Sequence, residues 1–390
     1  MEPAPVDAEG YFSREEIDRA RRYQRPRRML GFAALALEGG ALALIATRPP
    51  EALRRAQERP LTGAAAAGAA LSAGMTALTL PLGAVSHRRA VDAGISVQSW
   101  GGWATDVAKA SGIETVMAGA GSAGAMLVIR RFPGNWWAPV SAGAVALSAL
   151  LVALQPVLLD PVFNKFTPLE EGELRSEVLE LAERASVDVG EVFRVDASKR
   201  TTAANAYVNG LGRTKRVVLF DTLLRDFPPA EVSSVVAHEL SHVKHRDVPR
   251  FLAWMALAAP AGTHLVQRLA ERIAGEERGK PGMLPALALS AGIVSFFGGM
   301  AGAALSRKVE VRADVFSLDL AGDPDAFISL ERRLALKAVA EPRPPKLLHK
   351  LFGTHPPTVE RIGLGLAWAR SRPRTAAAEA DPRPRTPEGS

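Results

Sequence analysis

The chain has 390 residues, of which 47% are hydrophobic, and it carries a formal net charge of +7. It contains no cysteine, which excludes disulfide bonds, thiolate nucleophiles and cysteine-ligated metal sites. Apolar stretches almost without charge alternate with segments dense in charged residues, and this pattern is typical of a multi-pass membrane protein with a sizeable polar domain.

Positive charge is concentrated at the ends of the apolar stretches. Seven arginines lie between residues 14 and 28, and the segments HRR (87–89) and RR (130–131) also flank apolar runs. Flanking arginines are expected of membrane spans, so we predict a membrane protein that does not bind nucleic acid. Because the first 28 residues are polar, we expect no cleaved signal peptide.

Six apolar stretches are candidates for transmembrane helices, since a helix that crosses a bilayer needs about 20 apolar residues. In chain order they are 30–47, 61–85, 113–129, 136–159, 251–270 and 281–305. Glu38, Glu114 and His264 lie within or at the entrance of three of them. Ionisable groups are costly in lipid, so we hypothesise that these three line a polar cavity within the membrane. For Glu38 the alternative is a tilted helix whose side chain reaches the interface.

Residues 160–250 form a polar block with mixed secondary structure. The spacing of apolar residues predicts an amphipathic helix over 167–187 and, by alternation, a strand over 191–198. Two apolar segments on either side of the turn-like GLGRTK predict a hairpin. The segment from PPAEV to KHRD, residues 228–247, predicts one helix that starts at its prolines.

The remainder of the chain divides at the last apolar stretch. Residues 306–365 are predicted to be mainly helical, and the Pro-, Arg- and Ala-rich tail is predicted to be disordered. The predicted divisions are a polar N-terminal segment (1–29), four transmembrane helices with an amphipathic loop (30–159), the first half of a polar domain (160–250), two transmembrane helices (251–305), the second half of that domain (306–370) and the tail (371–390).

Arginine distribution also predicts the orientation of the chain. The arginine-rich N-terminus is expected in the cytoplasm. Four spans then return the chain to the cytoplasm for residues 160–250, and two more return it for residues 306–390. Both halves of the polar domain are therefore expected on the same side of the membrane.

The pentapeptide HELSH, residues 238–242, lies in the helix predicted over 228–247. Residues four apart share one helix face, so His238 and His242 can each provide a nitrogen ligand to one Zn²⁺. Glu239 is adjacent, where its carboxylate can take a proton from water that the metal activates. The pattern predicts one zinc ion per chain and a hydrolytic reaction, and the alternative is a surface helix with solvated histidines.

A zinc site of this kind needs a third protein ligand and keeps one position open. Glu310 and Asp314 lie four apart on the predicted helix that follows the last apolar stretch. Glu310 is the candidate third ligand, and Asp314 could accept a hydrogen bond from the far nitrogen of a ligand histidine. An ordinary helix face is the alternative for this pair, and His245 is a weaker candidate ligand.

Several segments of the chain resemble the type I CAAX prenyl endopeptidases, which are integral-membrane zinc metalloproteases. They follow that family's order over about residues 87–362. The segments are HRRAVDAGISVQSWGGWATDVAK (87–109), DPVFNKFTPLEEGEL (160–174), NAYVNGLGRTKRVVLFDTLL (205–224), HELSHVKHRD (238–247), RKVEVRADVFSLDLAG (307–322) and THPPTVERI (354–362).

The resemblance implies a fold and a metal site. The expected fold is mainly α, a polytopic membrane bundle of about six transmembrane helices with an attached α+β zincin-like catalytic domain that contains a small β-sheet. The implied zinc ligands are His238, His242 and Glu310, and Glu239 is implied as the catalytic base. The polar domain is then the catalytic domain.

The resemblance also implies residues that bind the substrate. Asn205 is implied on an edge strand that pairs with the substrate backbone, a known mode of peptide recognition. His355 and Arg361 are implied to bind substrate and to stabilise the oxyanion, for which cationic or N–H donors are suited.

The expected function is that of a membrane-embedded zinc endopeptidase. Its partners would be membrane lipid and a peptide or protein substrate, lipidated or membrane-associated. The Arg- and Ala-rich composition is typical of bacteria, so we expect a bacterial cell membrane with the catalytic domain facing the cytoplasm. One alternative is a quality-control protease like the HtpX membrane proteases, which share HExxH and a downstream glutamate. A non-catalytic membrane scaffold is a further alternative.

Overall fold

The computed structural model describes residues 1–55, 58–210 and 215–372, and within them helices predominate around one small sheet. The predicted disordered tail lies, from residue 373 onward, outside the described residues. The same is true of residues 211–214 in the predicted hairpin turn.

Helices and one four-stranded sheet make up the described chain. The helices are α1 (Arg14–Thr47), α2 (Glu51–Arg55), α3 (Pro60–Asp92), α4 (Trp100–Arg131), α5 (Trp137–Leu154), α6 (Asp160–Phe163), α7 (Glu173–Arg184), α8 (Asp221–Asp226), α9 (Pro229–Lys244), α10 (Asp247–Ala274), α11 (Leu284–Ala321), α12 (Pro324–Lys337), α13 (Lys346–Phe352) and α14 (Thr358–Ser371). A π-helical turn, Gln155–Leu159, joins α5 to α6. The strands are β1 (Phe166–Pro168), β2 (Glu191–Val195), β3 (Ala206–Asn209) and β4 (Arg216–Phe220).

Five helices of the described residues are long and apolar enough to cross a membrane. They are α1, α3, α4, α5 with its continuation, and α11, and they contain five of the six predicted spans. The remaining predicted span, 251–270, lies in α10, which is long enough but falls short of the required apolarity. Polar side chains lower the apolarity of α10. Two of them, Gln267 and Glu271, accept hydrogen bonds from Trp137 and Trp136 inside the bundle.

Helix α10 runs antiparallel beside α11 in spite of its polar residues. Asp247 at its start bonds Arg312, and Ala274 at its end shares an apolar cluster with Met283. The long helices contact one another in the order α1, α3, α4, α5, α10, α11 and back to α1. In four of the five apolar spans at most 17% of the residues are buried, so their apolar surface needs lipid around it.

Small residues bring α3 and α4 together. A Cβ atom on Gly119 would lie 3.1 Å from the carbonyl oxygen of Ala65, and one on Gly68 would collide with Ser122. Close approach of this kind is how membrane helices pack without a hydrophobic driving force. Of the three ionisable residues singled out in the apolar stretches, His264 packs edge-on against Trp137, Glu114 is exposed and Glu38 is half-buried.

The sheet has the strand order β1-β2-β4-β3. Strands β2 and β4 are parallel, and the two outer pairs are antiparallel. Helices α7 and α9 pack on this sheet through a buried apolar core that includes Val178, Leu181, Val192, Leu219, Val236 and Leu240. The predicted hairpin is confirmed by β3 and β4. The strand predicted over 191–198 is confirmed in β2 only as far as Val195, and its end was wrong because residues 197–199 form a 3-10 helix.

The amphipathic helix predicted over 167–187 is shorter than expected. Phe166–Pro168 forms β1, where Thr167 pairs with Arg194 of β2, and α7 begins only at Glu173. The start of the predicted helix was therefore wrong, because pairing with β2 satisfies backbone groups that the local sequence would assign to a helix.

The helix predicted over 228–247 is interrupted near its end. Helix α9 stops at Lys244, Arg246 adopts the left-handed conformation with φ of 54°, and α10 begins at Asp247. The prediction of one unbroken helix was wrong over its last three residues. The break turns the chain so that Asp247 faces back toward α9.

Candidate metal centre

The HELSH residues lie in the most buried helix of the polar domain. Helix α9 begins at Pro229. Ten of its residues before His242, including His238, are buried, and the helix packs against the sheet, α11 and α12. Ligand atoms of His238, Glu239 and His242 all lie within 4.8 Å of one another. Helical spacing thus brings the two imidazoles to one point, as the sequence predicts.

Glu310 of α11 reaches the same point from the opposite side. Its Oε2 atom lies 3.2 Å from Nε2 of His238, and its Oε1 atom lies 3.8 Å from Nε2 of His242. The carboxylate is buried, because the part of α11 that follows the apolar span packs against α9 in the polar domain. The three predicted ligands therefore converge, and their roles as ligands stay predictions.

Each histidine directs its other nitrogen at a carboxylate. Nδ1 of His238 lies 2.9 Å from Oδ1 of Asp314, and Nδ1 of His242 lies 3.0 Å from Oδ2 of Asp247. A proton held at Nδ1 by such a carboxylate leaves the Nε2 lone pair free to bind a metal. Asp314 lies where the sequence analysis expected it.

Asp247 was missed by the sequence analysis. Five residues after His242, it would lie off the ligand face if the helix continued without a break. The signal that could have found it is Pro249, because proline two residues after an acidic residue is typical of the first turn of a new helix.

The donors fit a zinc ion. Two imidazole nitrogens and a carboxylate form a three-ligand set that leaves one position open, as in catalytic zinc sites. The Oε2 atom of Glu310 is buried and lies 3.2 Å from Nε2 of both His238 and His355, but it makes no hydrogen bond of regular geometry among the described residues. A buried carboxylate oxygen in that state costs free energy unless a cation or donor meets it.

Glu239 borders a cavity of about 150 Å³ beside the converging ligands. The cavity is lined by Asn205, Val235, Glu239, Leu330, His355 and Arg361, among others. Burial raises the pKa of the Glu239 carboxyl, while the neighbouring histidines act in the opposite direction. A carboxylate with a raised pKa is a stronger base toward a water molecule in this cavity.

Arg361 contacts two carboxylates, those of Asp314 and Glu331. Its Nε and Nη2 atoms donate to the two carboxylate oxygens of Asp314. Its Nη1 atom lies 2.7 Å from Oε2 of Glu331. All three side chains are largely shielded from solvent. The geometry thus makes Arg361 a support for Asp314, whereas the predicted contact with an oxyanion remains untested.

His355 is the predicted substrate-binding residue that faces the centre. Its Nε2 atom lies 3.2 Å from Oε2 of Glu310, and its side chain is exposed. Asn205 is also exposed and immediately precedes β3, the last strand of the sheet order, where its carbonyl oxygen accepts a bond from the amide of Phe220. Both residues border the cavity next to Glu239.

His245 lies away from the centre. Its Nδ1 atom is 2.9 Å from the carbonyl oxygen of Ser241, and its ring packs edge-on against Phe316. The imidazole therefore caps the end of α9, which leaves Glu310 as the better candidate for the third ligand.

Two family profiles match the chain and together cover most of it. The profile of Peptidase family M48 matches residues 168–364. The profile described as the CAAX prenyl protease N-terminal domain, with five membrane helices, matches residues 2–165. The boundary between the two profiles lies where α6 gives way to β1.

Two relatives illustrate how far the similarity extends. The uncharacterized metalloprotease YhfN of Bacillus subtilis is 32% identical over 295 residues, which are 74% of this chain and 69% of that protein. CAAX prenyl protease 1 of Saccharomyces cerevisiae is 34% identical over 156 residues, which are 40% of this chain and 34% of the yeast protein. The similarity to the yeast enzyme therefore covers about a third of its length.

A solved structure shares the whole fold. The crystal structure of S. mikatae Ste24p superposes with a TM-score of 0.82 at 22% sequence identity, over 93% of this chain and 92% of that one. The overall fold is therefore common to both proteins.

Proposed function

Since the chain belongs to peptidase family M48, in its type I CAAX prenyl protease branch of integral-membrane metallopeptidases, we propose that it cuts peptide bonds with one zinc ion held by His238, His242 and Glu310. The observation that carries this proposal is the convergence of both Nε2 atoms on the Glu310 carboxylate. The alternative of a non-catalytic scaffold does not require these three groups to meet.

Glu239 is the proposed general base and acid. A zinc ion in this site would lower the pKa of water and polarise the scissile carbonyl group. Glu239 takes a proton from the attacking water and passes it to the nitrogen of the leaving amine. Its position on the cavity wall, next to the ligand histidine in sequence, supports both transfers.

The carboxylates around the ligands orient them. Asp314 and Asp247 hold the proton on Nδ1 of their histidines, and Arg361 fixes Asp314 through two bonds. We assign stabilisation of the oxyanion chiefly to His355, because its Nε2 atom faces the centre and its side chain is accessible.

The unpaired edge of β3 supports an extended substrate. Strand β3 pairs only with β4 among the described strands, so its other edge can bind the backbone of a peptide. Asn205 lies at the start of this edge and on the cavity wall. The proposed substrate is therefore a peptide segment that lies extended between β3 and the metal centre.

The proposed substrate is associated with the membrane and lipidated. The ring of apolar helices next to the polar domain supports a lipid-bound substrate, and the similar yeast protein is named for prenylated CAAX substrates. The proposed location is a bacterial cell membrane with the polar domain in the cytoplasm, which the arginines before residue 29 support.

Peptide cleavage by detergent-purified protein tests this function. The substrates are a farnesylated CAAX peptide, the same peptide without its lipid, and an unfolded soluble protein. The proteins are wild type, Glu239→Gln and the control Glu171→Gln, which alters an exposed glutamate of the same domain. We expect wild type and the control to cut the farnesylated peptide fastest and Glu239→Gln to lose cleavage.

One outcome would contradict the proposed mechanism, and another would contradict the proposed substrate. Undiminished cleavage by Glu239→Gln would remove the assigned base and with it the mechanism. Preference for the unfolded protein over both peptides would leave the mechanism intact and favour a quality-control function.

A further inference from the structure

A second cavity, of about 580 Å³, adjoins the cavity of the metal centre. Glu331, Leu334, His355 and Arg361 line both, so the two cavities meet along α12 and the His355 loop. The second cavity continues from there to the polar end of α1. We refer to this second cavity as the α1 groove; α1 lines it with Gln24, Arg27 and Arg28, and the facing segments line it with residues that include Leu334, Glu341 and His355.

Helix α1 forms a fixed wall at the far end of the α1 groove. The segment before it is docked on the polar domain, where Phe12 is buried with Ala335 and Ile362. Arg28 pairs with Glu341 at 2.9 Å, and the Gln24 amide donates to the carbonyl oxygen of Val339 at 2.9 Å. These contacts hold α1 against the polar domain along this side of the α1 groove.

Arg27 is the cation at this wall that has no ion-pair partner among the described residues. Its NH1 atom donates to the side-chain oxygen of Gln24 at 3.3 Å, and Gln24 is itself anchored to Val339. The nearby carboxylate of Glu341 is engaged by Arg28. The α1 side of the groove therefore presents an exposed guanidinium that is available to an anion.

The edge of β3 gives the direction in which a substrate would enter the α1 groove. Antiparallel pairing is the more stable arrangement for an added strand. In that arrangement the carboxyl side of the peptide lies toward the start of β3, at Ala204 and Asn205. Both residues line the first cavity, from which Leu334 leads into the α1 groove.

We propose that the α1 groove holds the carboxyl-terminal end of the substrate and that Arg27 binds its terminal carboxylate. The inference rests on the proposed peptidase function. A guanidinium and a carboxylate form two parallel hydrogen bonds, which gives both affinity and orientation. An unpaired guanidinium on the α1 side of the groove suits the carboxylate at the end of a chain.

Three peptides of one sequence test the proposal. The first has a free carboxyl terminus, the second a terminal amide, and the third is the amide with glutamate as its last residue. Binding to Glu239→Gln protein is measured alongside cleavage by protein with the native Glu239, so the result does not depend on turnover. In each background, Arg27→Gln is compared with Arg25→Gln, which changes an exposed arginine of α1 outside the groove lining.

We expect the free acid to have a KM and a Kd about fivefold lower than the amide, as for a partly exposed ion pair. Arg27→Gln should raise both values for the acid to those of the amide, with kcat little changed, and Arg25→Gln should keep the preference. Added salt should weaken the preference in the native protein. Thermal unfolding curves for each variant separate loss of binding from loss of fold.

Equal binding of acid and amide, or a preference that survives Arg27→Gln, would overturn the proposal. If the amide that ends in glutamate binds as tightly as the free acid, Arg27 recognises any carboxylate and the assignment to the chain terminus is wrong. Failure of the peptidase function would appear differently, as absent cleavage of all three peptides by protein with the native Glu239.

Discussion

Each ligand histidine of the metal centre contacts a carboxylate that an arginine bonds in turn, but the two carboxylate–arginine pairs are buried to different extents. On the side of His238, Asp314 is fully buried and is bonded by the shielded Arg361. On the side of His242, 14% of the Asp247 side chain is exposed, against 0% for Asp314, and its partner Arg312 is 35% exposed, against 14% for Arg361. Charges in a buried network depend on one another, whereas water can replace a partner at the exposed side.

The comparison predicts that equivalent substitutions will cost more on the His238 side. A carboxylate deprived of its partner in a low-dielectric interior keeps an uncompensated charge. A carboxylate near the surface regains hydration when its partner is removed.

Arg361→Met should have the largest effect on stability. It leaves the carboxylates of Asp314 and Glu331 buried without their shared cation, so we expect a loss of about 3–5 kcal/mol in the free energy of unfolding of the polar domain. Denaturant unfolding followed by tryptophan fluorescence measures it. The control Arg370→Met changes an exposed arginine of the same helix and should have little effect. Equal stability of the two variants would show that the buried network is not needed for folding.

Asp314→Asn should weaken zinc binding strongly while it keeps the shape of the side chain. The amide no longer holds the proton on Nδ1 of His238 as a carboxylate does, so we expect the zinc affinity to fall about 100-fold. Competition with a chelator of known affinity gives the value. An affinity within a factor of two of wild type would contradict the role assigned to Asp314.

Asp247→Asn should weaken zinc binding less, by about tenfold, because water reaches this carboxylate and can partly replace it. The same competition assay gives the affinity. The ratio between the two asparagine variants is the sharpest form of the comparison. A larger loss in Asp247→Asn than in Asp314→Asn would reverse our ranking of the two sides.

Arg312→Gln should have the smallest effect, a decrease of about twofold in zinc affinity. Its guanidinium is partly exposed and supports His242 only through Asp247, and pairs of this kind contribute little. Titration at low and high salt measures the effect, and high salt should reduce the difference between variant and wild type. A loss as large as that of Asp247→Asn would mean that Arg312 fixes Asp247 rigidly.

The same contrast separates what the sequence could predict from what it could not. His238, Glu239 and His242 share one helix, so their spacing alone predicts that they meet. Asp314 was expected from its spacing to Glu310 on one helix. Asp247 was missed because a single left-handed residue, Arg246, redirects the chain after α9. Local periodicity does not predict such a break.

Contacts between distant segments were also beyond the sequence analysis. Glu331 carries no local signal, because its partner Arg361 lies in another helix and only folding brings the two together. The predicted start of the helix that forms α7 was wrong for the same reason, since β1 forms only through its pairing with β2. The membrane helices were predicted well because apolar length is a local property, and α10 is the exception that its polar residues explain.

Zinc content is the measurement that tests the central claim most directly. Wild-type protein, Glu310→Ala and the control Glu171→Ala would be purified in detergent, dialysed against a weak chelator and analysed for metal per chain. The proposed centre predicts one zinc per chain in wild type and the control, and its loss in Glu310→Ala. One tightly held zinc in Glu310→Ala, or none in wild type, would contradict a centre built from His238, His242 and Glu310.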